Sequence, residues 1–543
     1  STSTPMKNGS TPARKRYNSD FGSSESTDSV TIVEEKVRMK KTVGLVSGTS
    51  LIVGTIIGSG IFISPSGVLE DTGSVGLFLI VWVASGVIAL LGALCYSEIG
   101  TLIKRSGGEY AYIREAYGNV LAFLYAWTSV IVIRTSSMAI ICLTFGEYMT
   151  TFFPYCGAPQ IPKKLVAAVA LVTLGVINGY STKLAGRTQV FFTVVKLAAL
   201  AIIAIGGIVR LAQGHTSNLQ EGFKGTISNP STVALGFYNA LWAYDGWNNL
   251  NVVTEEIIDP AKNLPRANIL AVLLVTSVYL LVNVSYLTVL STSELLVAPA
   301  VANSWGETVL ASAMWIMPAA VLFSTFGAAN GTLFSGGRVV YAAARDGNLP
   351  EFLSYVHCKR YTPFPSIVFT IFISLIMIIP GDIGSLVDFF SFTAWIFYGL
   401  NASTLIAFRI QKKDEPRPIK VPIIVPVVFV LIAIYLVIGP IISNPQIEFL
   451  YAFLFVIGGL IFYFPFVHFK LQIKGIVNND GLKMHRKFKP VLPIRTEVVA
   501  ILVRIVAIRT RVVVILSSPY LSVSIRTRVV ANRIYPYVGD GNL

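Results

Sequence analysis

Charged residues are scarce in this sequence: Asp, Glu, Lys and Arg make up 13% of its 543 residues, against about 25% in soluble domains. Hydrophobic residues reach 53%. Several apolar runs approach the roughly 20 residues that a helix needs to cross a bilayer, among them 75–94, 190–209, 269–290 and 447–466. One such run could be a buried soluble helix, but about a dozen predict a polytopic, all-α membrane protein.

Cysteine is also scarce, and the four cysteines (Cys95, Cys142, Cys156, Cys358) have no metal-ligand or CxxC spacing. The predicted spans contain no nucleophile–base pair. The sequence therefore predicts no metal, no cofactor and no enzyme. The net charge of +15 does not indicate nucleic-acid binding, because eleven basic residues lie after residue 482 and most of the others flank apolar runs.

We predict three regions: a disordered cytoplasmic segment (1–41), a transporter domain of about twelve helices (42–470), and a cytoplasmic tail (471–543) with a repeated basic phrase. The tail could lie on the anionic inner leaflet or be poorly ordered. The predicted spans are 43–66, 74–101, 119–150, 164–180, 188–211, 231–254, 267–290, 313–344, 365–380, 384–409, 421–441 and 446–468.

Lys and Arg are distributed unevenly between the two sets of connections. One set, which includes both termini, carries most of them, whereas the opposite set carries Lys163, Lys164, Arg210 and Lys224. Because basic loops stay in the cytoplasm, we expect both termini there.

The first span contains Gly58, Ser59 and Gly60 in succession. Each glycine weakens a helix by about 1 kcal/mol relative to alanine, so the cluster favours a break whose free N–H groups could hold a carboxylate. Close packing of small residues between intact helices is the alternative.

The sixth span is also interrupted, by Asp245, Gly246 and Asn248. Paired interruptions in the first and sixth spans are typical of a transporter binding site. A carboxylate at this depth costs about 2.5–3.5 kcal/mol and needs a partner. That partner could be a cationic substrate, or an internal base, Arg134 or Lys196.

Three further side chains have two interpretations each. Lys196 could reach the cytoplasmic edge or replace a coupling cation, and Arg134 has the same alternatives. Trp242 could close over a ligand or simply pack. Cys156 lies in a predicted external loop, and the external loops contain no usable N-glycosylation sequon. These features fit a subunit linked by disulfide to a glycosylated partner.

Seven short motifs occur in a specific order between about Gly44 and Ile476: 54–62, 107–110, 254–256, 263–266, 330–332, 389–392 and 417–420. With them the chain resembles the light subunits of heteromeric amino acid transporters, in the amino acid–polyamine–organocation superfamily. The stretch 237–248 is most similar to the system b-zero-plus branch, which exchanges cationic amino acids and cystine for neutral ones.

The resemblance implies a five-plus-five inverted repeat with broken first and sixth helices and two extra C-terminal helices. It also implies that the Ile56 carbonyl binds the substrate ammonium and that Trp242 is the gate. The other substrate contacts that it implies are Gly58, Ser59, Gly60, Ala243, Asp245 and Asn248.

The resemblance further implies that Lys196 stands near a vacant sodium position and that Cys156 is linked to a single-span glycoprotein heavy subunit. We therefore expect sodium-independent exchange of arginine, lysine or cystine for leucine-like amino acids across the plasma membrane. A stand-alone uniporter, a proton-coupled transporter, and a non-transporting sensor or channel are the alternatives.

Overall fold

The computed structural model describes residues 43–105, 107–153, 160–180, 182–298, 300–357, 362–379, 383–443, 445 and 447–469. The predicted N-terminal segment 1–41, Cys156 and the predicted tail 471–543 lie outside these residues. Within them the β contact is a single parallel bridge between Val43 and Ile257.

The first nine helices, in chain order, are α1 (Leu45–Ile56), α2 (Gly60–Thr72), α3 (Val75–Leu102), α4 (Glu109–Tyr117), α5 (Asn119–Thr128), α6 (Arg134–Thr150), α7 (Gln160–Tyr180), α8 (Thr182–Ala212) and α9 (Pro230–Ala243). The remaining nine are α10 (Asn249–Val252), α11 (Pro260–Leu287), α12 (Thr292–Val297), α13 (Val301–Leu310), α14 (Ile316–Arg345), α15 (Phe364–Ile378), α16 (Ile383–Gln411), α17 (Ile424–Ser443) and α18 (Ile447–Phe462).

The predicted all-α membrane fold is confirmed. Among the described residues, nine helical stretches are long and apolar enough to cross a membrane, and the bent pair α1–α2 makes a tenth. The other two predicted spans fall on shorter helices, the 15-residue α15 and the interrupted pair α9–α10. These two spans are not among the ten because a bilayer-crossing helix is recognised by about 20 continuous apolar residues, and one of them is too short while the other is interrupted.

Local sequence signals place several helix ends. The Asn229 side chain accepts a hydrogen bond from the Ser231 N–H at 3.1 Å, and Pro230 occupies the first turn of α9. Gly73, with φ of 72°, ends α2 in the left-handed conformation that glycine adopts without strain. The two helices bounded by these residues, α2 and α9, pack against each other.

Helix α11 packs against α1, α3 and α8. Small residues permit the close approach: Gly86 of α3 faces Thr276, and Gly207 of α8 faces Ser285. By contrast, only 17% of the most apolar 18-residue stretch within Phe449–His468 is buried against other described residues. This last span therefore presents its apolar surface to the lipid bilayer.

Candidate functional site

The first predicted helix break is confirmed. Helix α1 ends at Ile56 and α2 begins at Gly60, and the two axes are bent by 49°. Ile57 adopts an extended conformation with ψ of 95°. The peptide groups between the two helices thus leave the helical hydrogen-bond ladder at membrane depth, where they need other partners.

The sixth span is broken as well. Helix α9 ends at Ala243 and α10 begins only at Asn249. Between them the backbone forms turns, in which the N–H groups of Tyr244 and Asp245 donate to carbonyls three residues earlier. Gly246 has φ of 108°, a conformation that other residues rarely adopt. This glycine therefore permits the turn that displays Asp245.

The two breaks touch each other. A Cβ added at Gly60 would collide with the Ala243 backbone and would lie 2.6 Å from the Ala243 Cβ. The Tyr279 hydroxyl lies 3.1 Å from the Ile56 carbonyl oxygen and 2.9 Å from the Ala243 carbonyl oxygen. A hydroxyl has one proton and can donate to only one of these carbonyls at a time. Because it lies within hydrogen-bond distance of both, Tyr279 links the two breaks.

Sequence reasoning missed Tyr279. It lies on α11 among many apolar residues and has no neighbouring motif, and only the folded chain brings its hydroxyl to both breaks.

Lys196 is fully buried beside the first break. Its ammonium donates to the Gly54 carbonyl at 2.8 Å and to the Ile57 carbonyl at 2.6 Å. The side chain therefore does not extend to the cytoplasmic edge. Its side-chain nitrogen instead contacts carbonyl groups that could otherwise coordinate a cation.

Asp245 lines a cavity together with Glu109, Arg134, Asn248 and Tyr398. The Tyr398 hydroxyl donates to Asp245 Oδ1 at 2.6 Å. The Asn248 amide donates to the Glu109 carboxylate, which also accepts from the Tyr125 hydroxyl at 3.2 Å. Asn248 thus shares the cavity with Asp245, but its amide is already engaged by a carboxylate that sequence reasoning did not single out.

Two buried polar groups beside the breaks have no hydrogen-bond partner among the described residues: the Ser59 hydroxyl and the Trp242 indole N–H. Trp242 is 6% exposed and packs edge-on against Phe390, with ring centroids 4.9 Å apart. Buried polar groups are rarely left unpaired. Both groups are therefore available to a bound polar molecule.

The family model described as amino acid permease matches residues 43–462, which include both breaks. The chain belongs to the amino acid permease family. Its sequence is 52% identical over 433 residues to the b(0,+)-type amino acid transporter 1 of Homo sapiens, covering 80% of this chain and 89% of the relative.

Other members of the family are similar over comparable lengths. The Mus musculus b(0,+)-type amino acid transporter 1 is 49% identical over 457 residues, covering 84% of this chain and 93% of the relative. The large neutral amino acids transporter small subunit 2 of Homo sapiens is 44% identical over 417 residues, covering 76% and 78%. This permease is accordingly an amino acid transporter and not an enzyme.

Proposed function

We propose that this permease exchanges cationic amino acids and cystine for neutral amino acids without sodium. The observation that carries the proposal is the carboxylate of Asp245 within one of two apposed helix breaks. The name of the relatives that are 49–52% identical, b(0,+)-type amino acid transporter 1, supports amino acids as the substrates.

Each end of the amino acid has a suitable partner in this arrangement. The peptide N–H groups of Gly58, Ser59 and Gly60 at the start of α2 bind the α-carboxylate, because a helix N-terminus favours negative charge. The Ile56 and Ala243 carbonyls, near which the Tyr279 hydroxyl lies, bind the α-ammonium.

The substrate side chain extends toward the cavity beyond Ala243. Asp245 pairs there with a cationic side chain, and Asn248 lines the wall. Trp242, which packs against Phe390 of the cavity wall, closes the site. The Lys196 ammonium takes the place of a coupling sodium ion, since it already donates hydrogen bonds to two carbonyls of the first span.

Counterflow in proteoliposomes tests the exchange mode. Vesicles loaded with leucine are expected to take up external arginine without sodium, and empty vesicles are expected to take up little. Uptake that requires a sodium gradient and ignores internal amino acid would contradict the proposal.

We further propose that the permease is a plasma-membrane protein with both termini in the cytoplasm and that Cys156 forms a disulfide with a single-span glycoprotein heavy subunit. The words "small subunit" in the name of the 44% identical relatives support a larger assembly. A non-reducing gel should show a high-mass band that Cys156→Ser removes. Replacement of the buried free cysteine Cys95 by serine should leave that band in place.

A further inference from the structure

The cavity beside Asp245 contains more charge than a single substrate contact requires. Its lining includes two acids, Glu109 and Asp245, and one base, Arg134. A carboxylate removed from water is costly unless a cation or several hydrogen bonds stabilise it. A cationic amino acid supplies such a cation, whereas a neutral amino acid leaves Asp245 without one.

Arg134 is held loosely for so buried a charge. The residue is 8% exposed and begins α6 directly after a π-helical turn, Ser129–Ile133, in the third span. Its Nη1 donates to Asn249 Oδ1 at a long 3.3 Å, and its Nε has no partner among the described residues. A guanidinium has five N–H donors, so most of its bonding capacity is open.

The two carboxylates are held differently. Glu109 is 1% exposed and accepts from two neutral donors on separate elements, Asn248 and Tyr125. Asp245 accepts from the Tyr398 hydroxyl. In the part of the chain that the structure describes, no ion pair within 4.0 Å joins Arg134 to either acid.

Lys196, the other internal base near the breaks, is already committed to two carbonyls of the first span. It does not line the cavity that contains Asp245. Arg134 is the base that shares the cavity with both carboxylates and interacts electrostatically with both.

We propose that Arg134 is a displaceable counter-cation that allows one site to accept both cationic and neutral amino acids. With a neutral substrate, the guanidinium pairs with Asp245. With a cationic substrate, the substrate side chain takes Asp245 and Arg134 pairs with Glu109. Arg134 and Glu109 are thus specificity-determining residues, an inference that rests on the proposed exchange of the two classes.

Replacing Arg134 by glutamine tests this role. We expect Arg134→Gln to lower leucine transport at least tenfold more than arginine transport, judged by kcat/KM in proteoliposomes, because only the neutral substrate needs the guanidinium. Arg134→Lys keeps the charge and should restore the leucine-to-arginine ratio to within about threefold of the unaltered protein.

Glu109→Gln is the opposite test and does not depend on Arg134→Gln being produced. Without the second carboxylate, the guanidinium remains on Asp245, so arginine transport should fall more than leucine transport. The matched control is Arg338→Gln, which removes another largely buried arginine that pairs with Glu256 at 3.3 Å outside the cavity. This control should lower the transport of arginine and of leucine by the same factor.

The outcomes separate this inference from the proposed function. If the unaltered protein does not exchange arginine for leucine, the proposed function fails. If it does, but Arg134→Gln or Glu109→Gln lowers both substrates in equal proportion, the counter-cation role is overturned and the exchange stands.

Discussion

At the scale of single residues, Asp245 has one neutral side-chain partner, the Tyr398 hydroxyl 2.6 Å away. Replacing Asp245 with asparagine keeps the shape of the side chain and removes its charge. Since hydrogen bonds to charged groups are worth about 1.5–3 kcal/mol, we expect Asp245→Asn to lower arginine uptake by roughly tenfold or more. Leucine uptake should change much less.

Asp71→Asn is the matched control for this prediction, because Asp71 accepts from Asn239 at 3.2 Å and does not line the cavity. It should leave the ratio of arginine to leucine uptake unchanged. Equal loss of both substrates in Asp245→Asn would assign that carboxylate a structural role.

Tyr279 and Tyr286 provide a comparison within one helix. Both are fully buried on α11, but the Tyr286 hydroxyl has no partner among the described residues, whereas the Tyr279 hydroxyl lies within 3.1 Å of a carbonyl of each break. Tyr279→Phe leaves two buried carbonyls without this donor, at a cost of about 1–3 kcal/mol. Uptake of arginine and uptake of leucine should fall together in Tyr279→Phe. Both should stay at the level of the unaltered protein in Tyr286→Phe.

At the scale of elements, α2 and α9 approach each other where Gly60 faces Ala243. A methyl group at Gly60 has no space, because its Cβ would overlap backbone atoms that cannot turn aside. We expect Gly60→Ala to abolish uptake of both amino acids in proteoliposomes. The contacts of the break would be displaced even if the protein still inserts.

Gly458→Ala in α18 is the control, since a Cβ there meets nothing within 4 Å. Uptake by this variant should equal that of the unaltered protein. Normal transport by Gly60→Ala would show that the two breaks need not touch.

At the scale of the whole molecule, Glu98 connects distant parts of the chain. Its fully buried carboxylate pairs with Arg409 at 2.6 Å and Arg417 at 2.9 Å, and accepts from the Val421 N–H at 2.7 Å. These contacts join the end of α3 to the end of α16 and to the connection that leads into α17.

We expect Glu98→Gln to destabilise the protein by about 3–5 kcal/mol, because it leaves two largely buried guanidinium groups without their anion. Thermal unfolding of the purified protein in detergent should show a clear fall in midpoint. Glu415→Gln, which removes a more exposed partner of Lys412, should shift the midpoint little. An unchanged unfolding midpoint in Glu98→Gln would show that the pairing of Glu98 with the two arginines does not stabilise the protein.

Much of the fold could be predicted because the bilayer imposes a simple rule. A crossing helix must be long and apolar, so hydropathy along the chain locates α3, α11 and α17 directly. The breaks could also be predicted, since Gly58, Ser59 and Gly60 weaken the helix locally and polar residues follow Ala243. Composition and local helix propensity therefore determined the spans and the two interruptions, whereas the family was indicated by the resemblance of the seven short motifs to those of a known family.

Only the tertiary structure decided which side chains hydrogen-bond to the carbonyl groups at the breaks. Tyr279 lies 223 positions from Ile56 along the chain, and Lys196 lies 142 positions from Gly54, so no local pattern relates them. Glu109, Arg134 and Asp245 likewise come from three separate elements and meet in one cavity. Their pairing depends on how the helices pack, because a side chain's partners at membrane depth are chosen by proximity in the folded bundle and by the need to satisfy every buried charge and peptide group.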